Sequence, residues 1–144
     1  MEISFKSLGV MEMKTIGIVG SRSRNSLKDQ IAVHQAFKKI YQDRDYIVSG
    51  GCPSGADRFA EIIAKKEQVP ITIYYAQWGK LGKAAGFIRN GDIAIKADVL
   101  IACVAEDRTG GTEDTIKKFL ADKFLGVGSE TEPNAIEKGR LILV

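Results

Sequence analysis

From Lys14 onward, short apolar runs alternate with stretches in which apolar residues recur every three or four positions. Runs of the first kind suit strands and those of the second suit amphipathic helices, so the chain reads as a series of βαβ units. "TIGIVG" (15–20) predicts the first strand, and Leu27 to Tyr41 a helix with Val33, Ala36, Phe37, Ile40 and Tyr41 on one face. "DYIVSG" (45–50) predicts the second strand. The helix after it carries Ala56, Phe59, Ala60 and Ile63 at the spacing of a buried stripe. "VPITIYYAQW" (69–78) predicts a third strand, with Pro70 at its tolerated opening position.

The stretch "KAAGFIRNGDIAIK" (83–96) predicts a helix despite Gly86 and Gly91, with Ala84, Ile88 and Ile95 sharing a face. "DVLIACVA" (98–105) hardly alternates, as befits a strand covered on both sides. Thr112 to Phe124 predicts a helix with Ile116, Phe119, Leu120 and either Lys123 or Phe124 inward, and "GRLILV" (139–144) a last strand. The fold class that follows is α/β, a Rossmann-like three-layer αβα domain over residues 14–144 with a mostly parallel sheet. Two segments stand apart. Residues 1–13 read as a leader or an extra edge strand in which Ile3 and Phe5 alternate. Residues 126–138 are polar and long for a plain connection, and read as a short helix or a loose loop.

Composition narrows the function classes. A chain of 144 residues buries a core without staples, and a net charge of +3 does not by itself argue for nucleic acid. No apolar run is long enough to span a bilayer, and the first residues lack the pattern of a secretory signal, so a cytoplasmic location is the expectation. Cys52 and Cys103 are the only cysteines, too few for a disulfide framework or a structural zinc site. His34, the single histidine, sits in a helical pattern where packing is favoured over ligation. No metal and no resident cofactor is expected.

Right-handed crossovers bring every strand-to-helix loop to one edge of a parallel sheet, where ligands bind. Those loops are "GSRSRNS" (20–26), "SGGCPSGAD" (49–57), "QWGKLGKAAG" (77–86) and "AEDRTGGTED" (105–114). They hold Arg22, Arg24, Lys80, Lys83 and Arg108, and two of them run a glycine pair straight into a helix start. Free N–H groups and the positive end of a helix dipole suit an anion. One exposed helix start contributes about 0.3–1 kcal/mol toward a charge, whereas micromolar binding needs roughly 8 kcal/mol. Two such turns converging with arginines are therefore the signal, not either alone.

Ordinary structural readings stand beside this. Ser54 and Asp57 form a capping-box-like pair, so helix capping is favoured over ligand contact for Asp57. Thr112 is equally a normal N-cap. Glu113 and Asp114 suit the first turn of a helix but repel a phosphate seated on it. Trp78 offers a ring to stack on a base or to close a core edge. Familiar alternatives are absent: no G-x-G-x-x-G follows "TIGIVG", "GKLGKAAG" lacks the P-loop hydroxyl at Ala84, and there is no G-x-S-x-G or H-E-x-x-H.

"GIVGSRS", "IVSGGCPSGADRFAE", a tryptophan, "AAGFIRN", "ADVLIA" and "GGT" occur in the order seen in the SLOG superfamily. From about Ile16 to Leu120 the chain resembles its small YspA/YpsA-related branch of Rossmann-like nucleotide-binding proteins. More distant relatives are the LONELY GUY phosphoribohydrolases and DNA-processing protein A. The resemblance implies a strand order of 3-2-1-4-5 and a nucleotide or nucleotide-derived ligand at the carboxyl edge. It implies ligand contacts from Gly20, Ser21 and Arg22, from Ser49, Gly50, Gly51, Gly55 and Asp57, and from Gly110, Gly111 and Thr112, with Trp78, Arg89 and Asn90 beside them. Arg89 matches the arginine that the phosphoribohydrolases use near the scissile bond. Their catalytic glutamate has no counterpart, since Thr115 stands in its place and Glu113 and Asp114 lie off register.

Three functions follow in order. The first is a nucleotide sensor or binding domain. The second is an N-glycosidic hydrolase of nucleoside monophosphates using Arg89 with Glu113 or Asp114. The third is single-stranded nucleic-acid binding, against which Glu106, Asp107, Glu113 and Asp114 weigh. Relatives often pair through exposed helix faces, which implies a homodimer by analogy. The implied strand order also separates the two cysteines by the first strand, about 10 Å, so both thiols are expected to stay free.

Overall fold

The computed structural model describes residues 13–125 and 139–144. The expectations for 126–138, and for the leader apart from Met13, lie outside the described residues. Five strands form one parallel sheet: β1 (Thr15–Gly20), β2 (Tyr46–Ser49), β3 (Ile71–Ile73), β4 (Val99–Cys103) and β5 (Arg140–Leu143). Their order is β3-β2-β1-β4-β5, as expected, with helices on both faces. The helices are α1 (Leu27–Ile40), α2 (Ala56–Glu67), the single turn α3 (Trp78–Leu81), α4 (Ala85–Lys96) and α5 (Gly111–Leu120). A 3₁₀ turn (Gly82–Ala84) leads into α4, and a π turn (Ala121–Leu125) follows α5. Among the described residues, no helix is long and apolar enough to cross a membrane.

The unalternating sequence of β4 is explained by its position: all five of its residues are buried, between β1 and β5 with helices above and below. One face of the sheet packs Ile16, Ile18, Ile47 and Ile101 against Val33 and Phe37 of α1 and Phe59 and Ile63 of α2. The other packs Val19, Val48 and Leu100 against Ile93 and Ala94 of α4 and Ile116 and Phe119 of α5.

The inward face of α4 differs from the expected one. Ala85, Asn90, Ile93 and Ala94 are buried, whereas Ile88 and Ile95 face solvent. The two extra apolar residues on the outer face blurred the stripe. Likewise Leu120, at the last position of α5, is exposed, and so is Phe124, which lies in the π turn where the α-helical repeat no longer holds. The third strand is shorter than its sequence suggested, ending at Ile73 before the chain turns toward α3.

The edge at the amino ends of the strands is closed by a buried ion pair. Asp45 is fully buried and accepts from the Lys14 ammonium, from the Lys14 amide at 2.8 Å and from the Gln42 amide at 2.9 Å. The opposite edge, where the crossover loops gather, is open.

Candidate functional site

A cleft of about 320 Å³ lies at the carboxyl edge, between the end of β1, the middle of α4 and the start of α5. Three loops and the helix α4 build it in different ways. The first, after β1, sets Gly20, Ser21 and Arg22 in its wall. The Ser21 amide donates to the Cys103 carbonyl at 2.9 Å, which holds the loop to β4. Arg22 is exposed and has no ion pair or hydrogen bond among the described residues. Arg24, two residues on, is consumed internally. It donates to Asp29 Oδ1 at 2.9 Å and to the carbonyls of Val104 and Val144 at 2.9 and 2.7 Å.

The loop after β4 brings Gly110, Gly111 and Thr112 into the wall as the N-terminus of α5. Its N-cap is Gly110, so Thr112 lies inside the helix and not at the cap expected for it; Gly110 makes no side-chain capping bond, having no side chain to make one. Thr112 is 8% exposed, and its hydroxyl has no hydrogen-bond partner among the described residues. Buried polar groups are nearly always bonded. Thr115, one turn on, also lines the cleft, but its hydroxyl donates back to the Gly111 carbonyl at 3.3 Å.

The loop after β2 works differently from the sequence expectation. Asp57 does not form a capping box: the N-cap of α2 is Gly55, without a side-chain cap bond. The Asp57 carboxylate turns into its own loop and accepts from the Cys52 amide at 3.1 Å and from the Ser49 hydroxyl at 3.1 Å. It thereby takes a main-chain donor of a loop that was expected to face a ligand. Burial raises its pKa, opposed by the Cys52 amide and the nearby Arg89. Asp57 and Cys52 line the cleft, while Ser49, Gly50, Gly51 and Gly55 lie outside its lining. Gly55 has φ +78°, and a Cβ there would come within 2.5 Å of the Ser21 carbonyl oxygen. Its bareness seats the second loop on the first.

Two consecutive residues of α4 join the glycine loops. Arg89 Nη1 donates to the Gly50 carbonyl at 2.7 Å, and Asn90 Nδ2 donates to the Gly111 carbonyl at 3.3 Å. Arg89 Nε donates to Asn90 Oδ1 at 3.1 Å, so the pair is also locked to itself. This leaves Arg89 Nη2 without a protein acceptor among the described residues.

The two acidic residues considered for catalysis are tied down elsewhere. Glu113 accepts from Arg108 Nε and Nη2 at 2.7 and 3.0 Å, and Asp114 from Lys118 and Asn90 at 2.8 and 3.1 Å. Neither lines the cleft. Trp78 is also outside it, half exposed and lying over Gly86, where a Cβ would be 3.1 Å from the ring. The aromatic that does approach the site is Tyr75, which sequence reasoning passed over. It lines a second cleft of about 140 Å³ whose wall also includes Arg89.

No family model and no curated protein matches the chain. Among solved structures, it is similar to the molybdenum cofactor binding protein of the phototrophic bacterium Rippkaea orientalis. The TM-score is 0.60 and the identity 21%, over 78% of this chain and 73% of that one. The likeness is one of fold.

Proposed function

We propose that the cleft binds the phosphate, or an equivalent anionic group, of a nucleotide or nucleotide-derived small molecule, and that the protein is a binding or sensing domain. The observation that carries this reading is Thr112. The residue is buried in the first turn of α5 on the wall of the cleft, and its hydroxyl has no partner among the described residues. An anion at a helix N-terminus satisfies such a donor together with the free first-turn amides. Unpaired Arg22 and the spare amino group of Arg89 add charge-assisted bonds, each giving roughly 1.5–3 kcal/mol. The SLOG-like motifs and the 3-2-1-4-5 sheet support a ligand of the nucleotide class.

Asp57 sets a condition on this anion. A carboxylate already holds the Cys52 amide and lies on that wall of the cleft, so the ligand's charge belongs on the α5 side. The hydrolase reading loses its acids to Arg108, Lys118 and Asn90 and is not carried forward. The similar fold of a molybdenum cofactor binding protein puts that cofactor among the ligands worth testing.

A thermal-shift panel of AMP, ribose 5-phosphate, ADP-ribose, NAD and molybdenum cofactor tests the proposal. A ligand at 100 times its Kd adds about 2.7 kcal/mol, roughly 5–10 °C in Tm for a domain of this size. Arg22→Ala is expected to weaken that response. If no member of the panel gives saturable stabilisation, the proposal is wrong.

A further inference from the structure

The glycine pair at the end of β2 is bare for a reason other than phosphate. A Cβ on Gly50 would lie 2.7 Å from Arg89 Nη1, and one on Gly51, at φ +76°, would lie 2.6 Å from Tyr75 Cε1. The pair is thus a seat on which two side chains rest directly against the main chain. Arg89 looks from that seat into both clefts, since it lines each of them. One edge of the Tyr75 ring, Cδ1 and Cε1, abuts Gly51, and the residue is still 65% exposed on the wall of the second cleft. Leu81 and Ile88 add apolar surface there, and Gln77 and Asp92 add hydrogen-bonding groups.

An aromatic ring anchored along one edge by main chain and otherwise largely exposed offers a surface for stacking. It loses little freedom on binding, because the glycine seat has already oriented it. Polar side chains at the margin of an apolar slot match a flat heterocycle with donors and acceptors on its edge. We infer that the second cleft is the nucleobase subsite of the same ligand, with the base on Tyr75 and Arg89 standing between base and anion. This rests on the anion reading above and adds to it the end of the ligand that the main cleft does not hold.

The test compares AMP with ribose 5-phosphate, which has the anion and sugar but no base, by calorimetry on the full chain. Base–aromatic stacking implies that AMP binds about 10-fold or more tighter. Tyr75→Ala is expected to erase that preference while leaving the Kd for ribose 5-phosphate within about 2-fold, and Tyr75→Phe to retain it. Tyr75 is exposed, so these variants should fold, and their melting curves check this. Equal wild-type affinities for the two ligands overturn the inference while the anion reading stands. So does a preference that survives Tyr75→Ala. If neither ligand binds, the anion reading fails and takes the inference with it.

Discussion

Replacing Thr112 by valine separates the stability of the cleft from its purpose. The two side chains are nearly isosteric and have similar helix propensities, so the change exchanges a hydroxyl for a methyl and little else. Burying a hydroxyl without a partner costs about 1–3 kcal/mol on protein scales. Thr112 retains 8% of its surface, which lets water recover part of that cost. A gain near the low end, about 1 kcal/mol, is therefore expected for the unliganded variant, or about 2–4 °C in Tm. Binding should move in the opposite direction. Loss of a hydrogen bond to a charged acceptor removes roughly 1.5–3 kcal/mol, equivalent to a Kd about 10- to 150-fold weaker. Scanning calorimetry without ligand and titration calorimetry with AMP measure the two sides. A variant that melts below the wild type shows that the hydroxyl has a partner in the protein. An unchanged Kd shows that no anion sits on it. Either result refutes the reasoning.

Further outcomes follow from the same geometry. Burial raises the pKa of Asp57, so folding disfavours its ionised form; that penalty exists above the folded pKa and vanishes below the ordinary carboxylate range. Asp57→Asn, neutral throughout, should therefore be more stable relative to wild type at pH 7 than at pH 3, and urea midpoints with a constant gap would contradict this. Gly51→Ala meets both a left-handed φ and the Tyr75 ring, and is expected to cost about 1–2 kcal/mol for the backbone alone. A double-mutant cycle with Tyr75→Ala should show less than additive loss, because the second change removes part of the clash. At the far edge of the sheet, Asp45→Ala should destabilise by about 3–5 kcal/mol and Lys14→Met by less, since the Lys14 and Gln42 amides still hold the carboxylate. Both thiols are free; iodoacetamide should label half-buried Cys52 in the native protein and buried Cys103, whose pKa burial raises, only in urea.

The strands were readable from the sequence because their signals are local. Apolar runs of strand length broken by glycine-rich turns marked a mostly parallel sheet, and the unalternating run in β4 marked a strand covered on both faces; the order of the strands came from the resemblance alone. The faces of α4 were less readable. Ile88, on the wall of the second cleft, and Ile95 are exposed and compete with the inward Ile93, so a stripe alone could not orient the helix. Arg22, singled out by its place in the loop after β1, and Gly110, Gly111 and Thr112, singled out by a glycine turn before a helix, all line the cleft. The roles of Gly50, Gly51 and Asp57 were not legible in this way. An aspartate three residues after a serine at a helix start looks the same whether it caps the helix or turns back into the loop. What decides is the tertiary approach of Arg89 and Tyr75, and no local pattern encodes that. Tyr75 itself was hidden at the frayed end of a strand, while Trp78, the more conspicuous ring, stacks on Gly86.

Residues 89 and 90 hold the two glycine loops from adjacent positions on one helix. The span between those loops is thereby measured by a single peptide unit, which works as a caliper whose jaws cannot open independently. The guanidinium is tied to the head of α5 through its neighbour's amide, which accepts from Arg89 Nε and donates to the Gly111 carbonyl. Lengthening or swapping this one dipeptide would recalibrate the whole mouth of the protein while leaving its sheet intact.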